Sequence, residues 1–223
     1  MPAATPEGTP ETSPETSQET SLRRMGFGPL EIAYDDSVLE PRPWTQAQSL
    51  WARELLDEAP AGRVLELCAG VGHIGLLAVH GTDRSIACVD LSPRAVELLA
   101  ANAAANAMAA QVEVVHTDLA RLPLDEERFA LVVADPPWVP SAEIGRYPAD
   151  PTLAIDGGPQ GLDVARACIR AAGACLAGDG LLVLQLGTPE QAASLAPDLE
   201  AAGLGTVEVR ALERGTLVRA DRL

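Results

Sequence analysis

The chain has 223 residues, a formal net charge of -16, a pI near 4.5, 47% hydrophobic residues and only 3% aromatics. That length buries one ordinary core built from Ala, Leu and Val. No apolar run reaches the roughly 18 residues of a membrane span, and the N-terminus lacks a basic-then-apolar secretory leader, so a cytoplasmic protein without membrane contact is expected. All 16 basic residues are Arg, and so acidic a chain disfavours nucleic acid as partner unless the arginines gather on one face.

Residues 1–22, "MPAATPEGTPETSPETSQETSL", repeat Thr or Ser, Pro and Glu with almost nothing apolar, which predicts a disordered tail ahead of one domain over 23–223. The tail carries four acids and no Arg, so most of the acidity belongs to the domain. Leu30, Ile32 and Tyr34 alternate, Asp35, Asp36 and Ser37 follow, and Val38 and Leu39 resume, which predicts a short hairpin turning at Asp35–Ser37. A helix is expected from Thr45, as N-cap, to Glu58, burying Leu50, Trp51 and Leu55 on one side.

A strict alternation then begins. "RVLELC" reads as a strand, "GHIGLLAVH" as a helix, "SIACVDL" as a strand, and "SPRAVELLAANAAANAM" as a helix capped by Ser92 with Pro93 at its first position. "VEVVHTDL" and "FALVVADPP" are further strands, followed by the helix "GLDVARACIRAAGACL", the strand "GLLVLQL" and the helix "TPEQAASLAPDLEAAG". "GTVEVRALERGTLVRADR" closes the chain as two strands turned at Arg214–Gly215. Such alternation predicts an α/β fold, a largely parallel sheet covered on both faces, with ligands beyond the carboxyl ends of the strands.

Four strand ends carry chemistry. "LELCAGVGHIG" places Glu66 late in a strand and Gly70 and Gly72 in the turn into a helix, where backbone N–H groups can meet a ligand. With Gly75 it also satisfies G-x-G-x-x-G, so a dinucleotide-dependent oxidoreductase stays in view. Asp90, twenty residues after Gly70, can accept from both hydroxyls of a ribose, and Asp118 can meet an adenine amino group. "ADPPWVP" separates the readings: Asp135, the free carbonyls of Pro136 and Pro137, and the flat ring of Trp138 suit a planar NH2 group with two donors. Acceptors on those two protons stabilise the positive charge that grows on nitrogen as it takes up a methyl group, and hydride transfer needs nothing of the kind.

These segments, together with "LEPRPWTQ" and "DPTLAIDGGPQGLDVARACI", resemble the class I S-adenosylmethionine-dependent methyltransferases of the HemK/PrmC type, which methylate a glutamine side-chain amide in translation release factors. The resemblance runs from about Leu39 to Leu186. It implies a Rossmann-like seven-stranded sheet with an antiparallel last strand and S-adenosyl-L-methionine as cofactor. By position, Glu66, Gly70 and Gly72 would hold the methionine part beside Cys68 and Ala69, Asp90 the ribose beside Leu91, and Asp118 and Leu119 the adenine. Asp135, Pro136, Pro137 and Trp138 would hold the target nitrogen.

Two departures bear on the acceptor. The family's glutamine enzymes usually carry Asn where Asp135 stands, and a carboxylate there occurs in many enzymes acting on amino groups of nucleic-acid bases. The helical recognition domain of the bacterial enzymes has no counterpart before residue 39; eukaryotic and archaeal relatives lack it too and rely on a small partner protein. A protein glutamine or a small metabolite is the expected acceptor, with a base in nucleic acid third and a non-catalytic binding module as the non-enzymatic reading.

The loop "SAEIGRYPADPTLAIDGGPQ" is expected to cover substrate, with Arg146 and Tyr147 its candidate contacts. Four cysteines without a C-x-x-C pair and three scattered His predict packed, reduced thiols and no metal site. Cys68 has no His-based relay beside it and reads as a small packed residue.

Overall fold

The computed structural model describes residues 21–122 and 128–223, so the expected tail over 1–22 lies, apart from its last two residues, outside the described residues. β1 (Arg23–Phe27) and β2 (Leu30–Tyr34) form an antiparallel hairpin. Its turn is at Gly28, with φ +59°, and not at Asp35–Ser37 as the alternation predicted. β1 pairs with β2 along its length and turns Met25 and Phe27 to the core, while Arg24 and Gly26 face out. Asp35 instead closes a turn in which its Oδ1 accepts from the Ser37 N–H at 3.0 Å, while Oδ2 accepts from Arg94 Nε at 2.8 Å.

A 3-10 turn over Pro43–Thr45 leads into α1 (Gln46–Leu55). Thr45 does not cap the helix through its side chain; its hydroxyl donates to the Arg42 carbonyl at 2.8 Å. Trp51 and Leu55 are buried as expected, but Leu50 points outward and is half exposed.

β3 (Arg63–Leu67), α2 (His73–Val79), β4 (Ile86–Asp90), α3 (Pro93–Ala105), β5 (Val112–His116) and β6 (Phe129–Ala134) follow the predicted alternation. The loop after β6 holds a 3-10 helix over Ser141–Arg146 and one short α-helix, α4 (Thr152–Ile155), and is followed by α5 (Asp163–Cys175) and β7 (Leu176–Leu186). The expected helix over 188–203 is two, α6 (Pro189–Ser194) and α7 (Ala196–Ala201). Pro197 lacks the N–H a continuous helix would need, and its ring opposes the carbonyl four residues back. β8 (Leu204–Ala211) and β9 (Thr216–Arg222) complete the chain.

The seven-stranded sheet has the order β5-β4-β3-β6-β7-β9-β8. The pairs β3–β4, β4–β5, β3–β6 and β6–β7 are parallel, and β9 runs antiparallel to both β7 and β8. Side chains alternate between two cores. Val64, Cys88 and Val133 face α1, α2, α3 and the hairpin, while Leu65, Val89 and Val132 face α5, α6 and α7. Strand order reverses between β3 and β6, which opens a crevice at their carboxyl ends where a ligand can enter.

Candidate active site

At that reversal lies a cavity of about 630 Å³ lined by the ends of four adjacent strands. Cys68 to Val71 follow β3, Asp90 to Ser92 end β4, Thr117 to Ala120 follow β5, and Asp135 and Pro137 follow β6. The turn after β3 is held by the Ala69 N–H donating to the Val89 carbonyl at 3.0 Å and the Gly72 N–H to the Ala69 carbonyl at 2.8 Å. Gly70 has φ +54° and Gly72 φ +82°. A Cβ at Gly72 would stand 2.7 Å from Leu99 Cγ, so that glycine serves close packing on α3. A Cβ at Gly70 would meet nothing within 4 Å; the space above it belongs to the cavity.

Asp90 accepts the Gly70 N–H at 2.7 Å on one oxygen and the Ser92 N–H at 2.8 Å on the other. A carboxylate has about four acceptor sites, so each oxygen keeps capacity toward the cavity. Asp118 caps a short turn, its Oδ1 accepting the Ala120 N–H at 2.9 Å, and Leu119 beside it is half-buried. Leu91, half exposed, forms an apolar lip, and its carbonyl meets His116 Nε2 at 3.0 Å.

Glu66 does not join this lining. The pleat turns it to the α2 face, where Oε1 accepts the Gly75 N–H at 2.9 Å and Oε2 has no hydrogen-bond partner. Burial pushes its carboxyl up to about 8, which leaves it mostly protonated at neutral pH. Glu66 therefore lies beneath the floor, and a Cβ at Gly75 would overlap its Oε2.

Asp135 is half-buried and faces the cavity without a hydrogen-bond partner among the described residues. Burial pushes its carboxyl up to about 7. The turn that carries it is held from behind. Gln48, fully buried on α1, donates to the Ala134 carbonyl at 2.9 Å. The Val139 N–H donates to the Ile155 carbonyl at 3.0 Å, and the Gly157 N–H returns to the Val139 carbonyl at 2.9 Å. "DGGPQG" thus lies against "PPWV" backbone to backbone, closely enough that a Cβ at Gly157 would come 2.6 Å from the Pro137 oxygen and one at Gly161 would overlap the Trp138 oxygen. The Trp138 carbonyl is also taken by Gln191 Nε2 at 2.9 Å. Its ring lies against Gly187, where a Cβ would stand 2.5 Å from the indole, so the structure places Pro136 and Trp138 behind the turn and outside the cavity lining.

Arg146 and Tyr147 also stand away from the cavity; Arg146 pairs with Glu143 at 2.6 Å and Tyr147 is exposed. The loop reaches the cavity a few residues later, through Pro151, Leu153 and Ala154, and Arg42 anchors it by donating to Asp150 at 2.7 and 2.9 Å. Val38, Leu39 and His73 add to the wall, and Asp163, Val164, Ala167, Arg170 and Ala171 of α5 close another side. Burial lowers the His73 imidazole to about 3, so it stays neutral. The alternation that assigned Val38 and Leu39 to a hairpin strand hid their place in the wall; the neighbouring "PRP" was the available signal.

The expected cofactor fits these residues. Asp90 offers two acceptors to vicinal hydroxyls, Val71, Leu91, Leu119 and Leu122 offer apolar surface for a flat base, and the open space over Gly70 admits a chain against the backbone.

Comparison with known proteins agrees. Residues 46–146 match the methyltransferase small domain family. A release factor glutamine methyltransferase from Moorella thermoacetica is 33% identical over 169 residues, covering 74% of this chain and 59% of that protein. A ribosomal protein uL3 glutamine methyltransferase from Bradyrhizobium diazoefficiens is 36% identical over 142 residues, covering 61% and 44%. The chain thus spans about half the length of the curated relatives it matches. Among solved structures, magnesium protoporphyrin IX methyltransferase from Synechocystis, with bound S-adenosylmethionine, shares the fold at a TM-score of 0.56 and 17% identity, covering 81% of this chain and 80% of that one. By the strand order, the cavity at its reversal and these matches, the chain belongs to the class I S-adenosylmethionine-dependent methyltransferases and resembles the HemK/PrmC glutamine methyltransferases among them.

Proposed function

We propose that this protein transfers a methyl group to the side-chain amide nitrogen of a glutamine in a protein. The observation that carries the reading is Asp135: a carboxyl group without a hydrogen-bond partner among the described residues, facing the cavity that also holds Asp90, on a turn fixed by its backbone. When bound, S-adenosylmethionine supplies an electrophilic methyl group. Asp90 would hold the ribose, Asp118 and Leu119 the adenine, and the turn over Cys68, Ala69 and Gly70 the methionine part, with Glu66 and Gly72 shaping that turn from below.

The acceptor side follows from the same geometry. An amide nitrogen is a poor nucleophile because its lone pair is delocalised. The Asp135 carboxylate accepts one N–H of the NH2 group and a proline carbonyl the other; among the described residues nothing else takes the Pro136 or Pro137 oxygen. These bonds strengthen as positive charge grows on nitrogen, so they favour the transition state over the ground state. Pro136 and Trp138 act as positioning residues that keep Asp135 and Pro137 in place. The relatives named for a release factor and for ribosomal protein uL3 support a protein acceptor.

Radiolabelled methyl transfer to release factors and to uL3 tests this. Label on a glutamine of one of them is expected, reduced at least about 100-fold by Asp135→Ala. Label appearing only on small metabolites would replace the protein acceptor, and label retained in Asp135→Ala would remove Asp135 from the chemistry.

A further inference from the structure

Cys68 occupies a backbone conformation that suits glycine, with φ +57°, in the turn between β3 and α2. A side chain there is strained. Cys68 is one of the residues lining the cavity, and its Sγ lies 3.8 Å from Sγ of Cys168, a fully buried residue on the cavity-facing helix α5. The pair joins two elements that share no covalent link nearby, one hundred residues apart in the chain. Cys88 and Cys175 are buried and stand outside the cavity lining.

We propose that Cys68 and Cys168 form an oxidation site in which hydrogen peroxide closes an intramolecular disulfide across the wall of the cofactor cavity, so that cross-linking and cofactor occupancy exclude each other. The Cys68 thiolate attacks one peroxide oxygen; the O–O bond breaks, hydroxide leaves and takes up a proton, and Cys68 becomes a sulfenic acid. The Cys168 sulfur then attacks the Cys68 sulfur, its proton leaves with the departing oxygen as water, and the S–S bond forms. Two thiols and one peroxide give one disulfide and two waters.

Bonding distance is about 2.05 Å, so the two sulfurs must approach by roughly 1.8 Å. The Cys68 turn yields more readily than α5, because it is strained and because Cys168 sits in packed core. That movement draws Ala69 and Gly70 with it and strains the Gly70 N–H bond to Asp90, on which the proposed ribose site depends. Exclusion is reciprocal: a cofactor that fixes the turn opposes closure by the same free energy with which closure opposes the cofactor. The neighbouring Cys168 thiol and burial hold the Cys68 thiol well above its ordinary value, so thiolate is scarce and the first step is slow.

The inference rests on the cavity being the cofactor site, and the cross-link itself is read without cofactor. Because Arg63, Arg84, Arg166 and Arg170 bracket the two cysteines, trypsin releases them on the separate peptides 64–84 and 167–170. The full chain is treated with hydrogen peroxide, alkylated and digested without reduction. The expected results are a cross-linked 64–84/167–170 pair, at least tenfold weaker S-adenosylhomocysteine binding that dithiothreitol restores, and slower cross-linking under saturating S-adenosylhomocysteine. Cys168→Ala should form no cross-link and keep the untreated affinity. Cys168→Ser, close to the cysteine in size, serves as the second unlinked protein should Cys168→Ala fail to fold. Recovery of Cys68 unmodified, or as a sulfinic acid with Cys168 still a thiol, overturns the proposal, as does cross-linked protein with unchanged affinity. Untreated protein that does not bind S-adenosylhomocysteine would count against the cofactor site, while the cross-link arm would still decide the thiol pair.

Discussion

Asp135 is held between burial on one side and the cavity on the other, and its protonation sets two opposed consequences. Its folded-state value near 7 lies above the ordinary 3.8, so between those values the unfolded chain has lost a proton that the folded chain retains. Folding stability therefore falls as pH rises through that window and stays lower above it. Asp135→Asn should melt higher than wild type at pH 8 and nearly equal to it at pH 4. Activity should run the other way. Only the ionised carboxylate accepts without competing as a donor, so kcat/KM is expected to rise from pH 6 to 8. Asn accepts through Oδ1 at every pH, so Asp135→Asn should flatten that rise. A rise of the same midpoint in the Asn variant would assign it to another group. Asp90, Asp118 and Asp135 were legible because each ends an apolar run. The direction of Glu66 was not, since it depends on the pleat that sends alternate side chains of β3 to opposite faces.

The element that positions the site is the pairing of "DGGPQG" with "PPWV". Its glycines read as a family signature in the sequence, and the structure supplies their physical reason: a Cβ at Gly157 or Gly161 would meet the carbonyl oxygens of Pro137 or Trp138. Gly161→Ala combines that overlap with φ +70° and should cost about 2 kcal/mol or more. Methyl transfer should fall further than S-adenosylhomocysteine affinity, because the turn that moves carries the acceptor side. Gly178→Ala, where a Cβ meets nothing within 4 Å, should change neither. Equal losses of transfer and affinity in Gly161→Ala would mean that the brace supports the whole cavity. The path of a loop over twenty residues has no local periodicity to report it. That is why Arg146 and Tyr147 were singled out while Pro151, Leu153 and Ala154 of the same loop line the wall.

At the scale of the molecule, the alternation of strands and helices made the parallel sheet and its two covered faces legible from composition and period alone. The insertion of β9 between β7 and β8 was not, because strand order is written in pairings between distant segments. The distribution of charge also required the structure. Arg23, Arg24, Arg63, Arg94, Arg210 and Arg219 each meet at least one carboxylate, and Arg23, Arg94, Arg210 and Arg219 each meet two. Where both partners are exposed, as in Arg24–Glu31, such a pair contributes little stability individually. Among the described residues, no helix is long and apolar enough to cross a membrane.

The central claim is that one cavity holds the cofactor on the β4 side and the acceptor nitrogen on the β6 side. Calorimetric titration with S-adenosylhomocysteine tests it most directly, on wild type, Asp90→Ala and Asp135→Ala, with NADH as control. The account predicts binding to wild type and none of NADH. Loss of two charge-assisted hydrogen bonds should weaken Asp90→Ala roughly 10- to 100-fold, with Asp135→Ala within about threefold of wild type. Equal loss in both variants, or binding of NADH in place of S-adenosylhomocysteine, would contradict it.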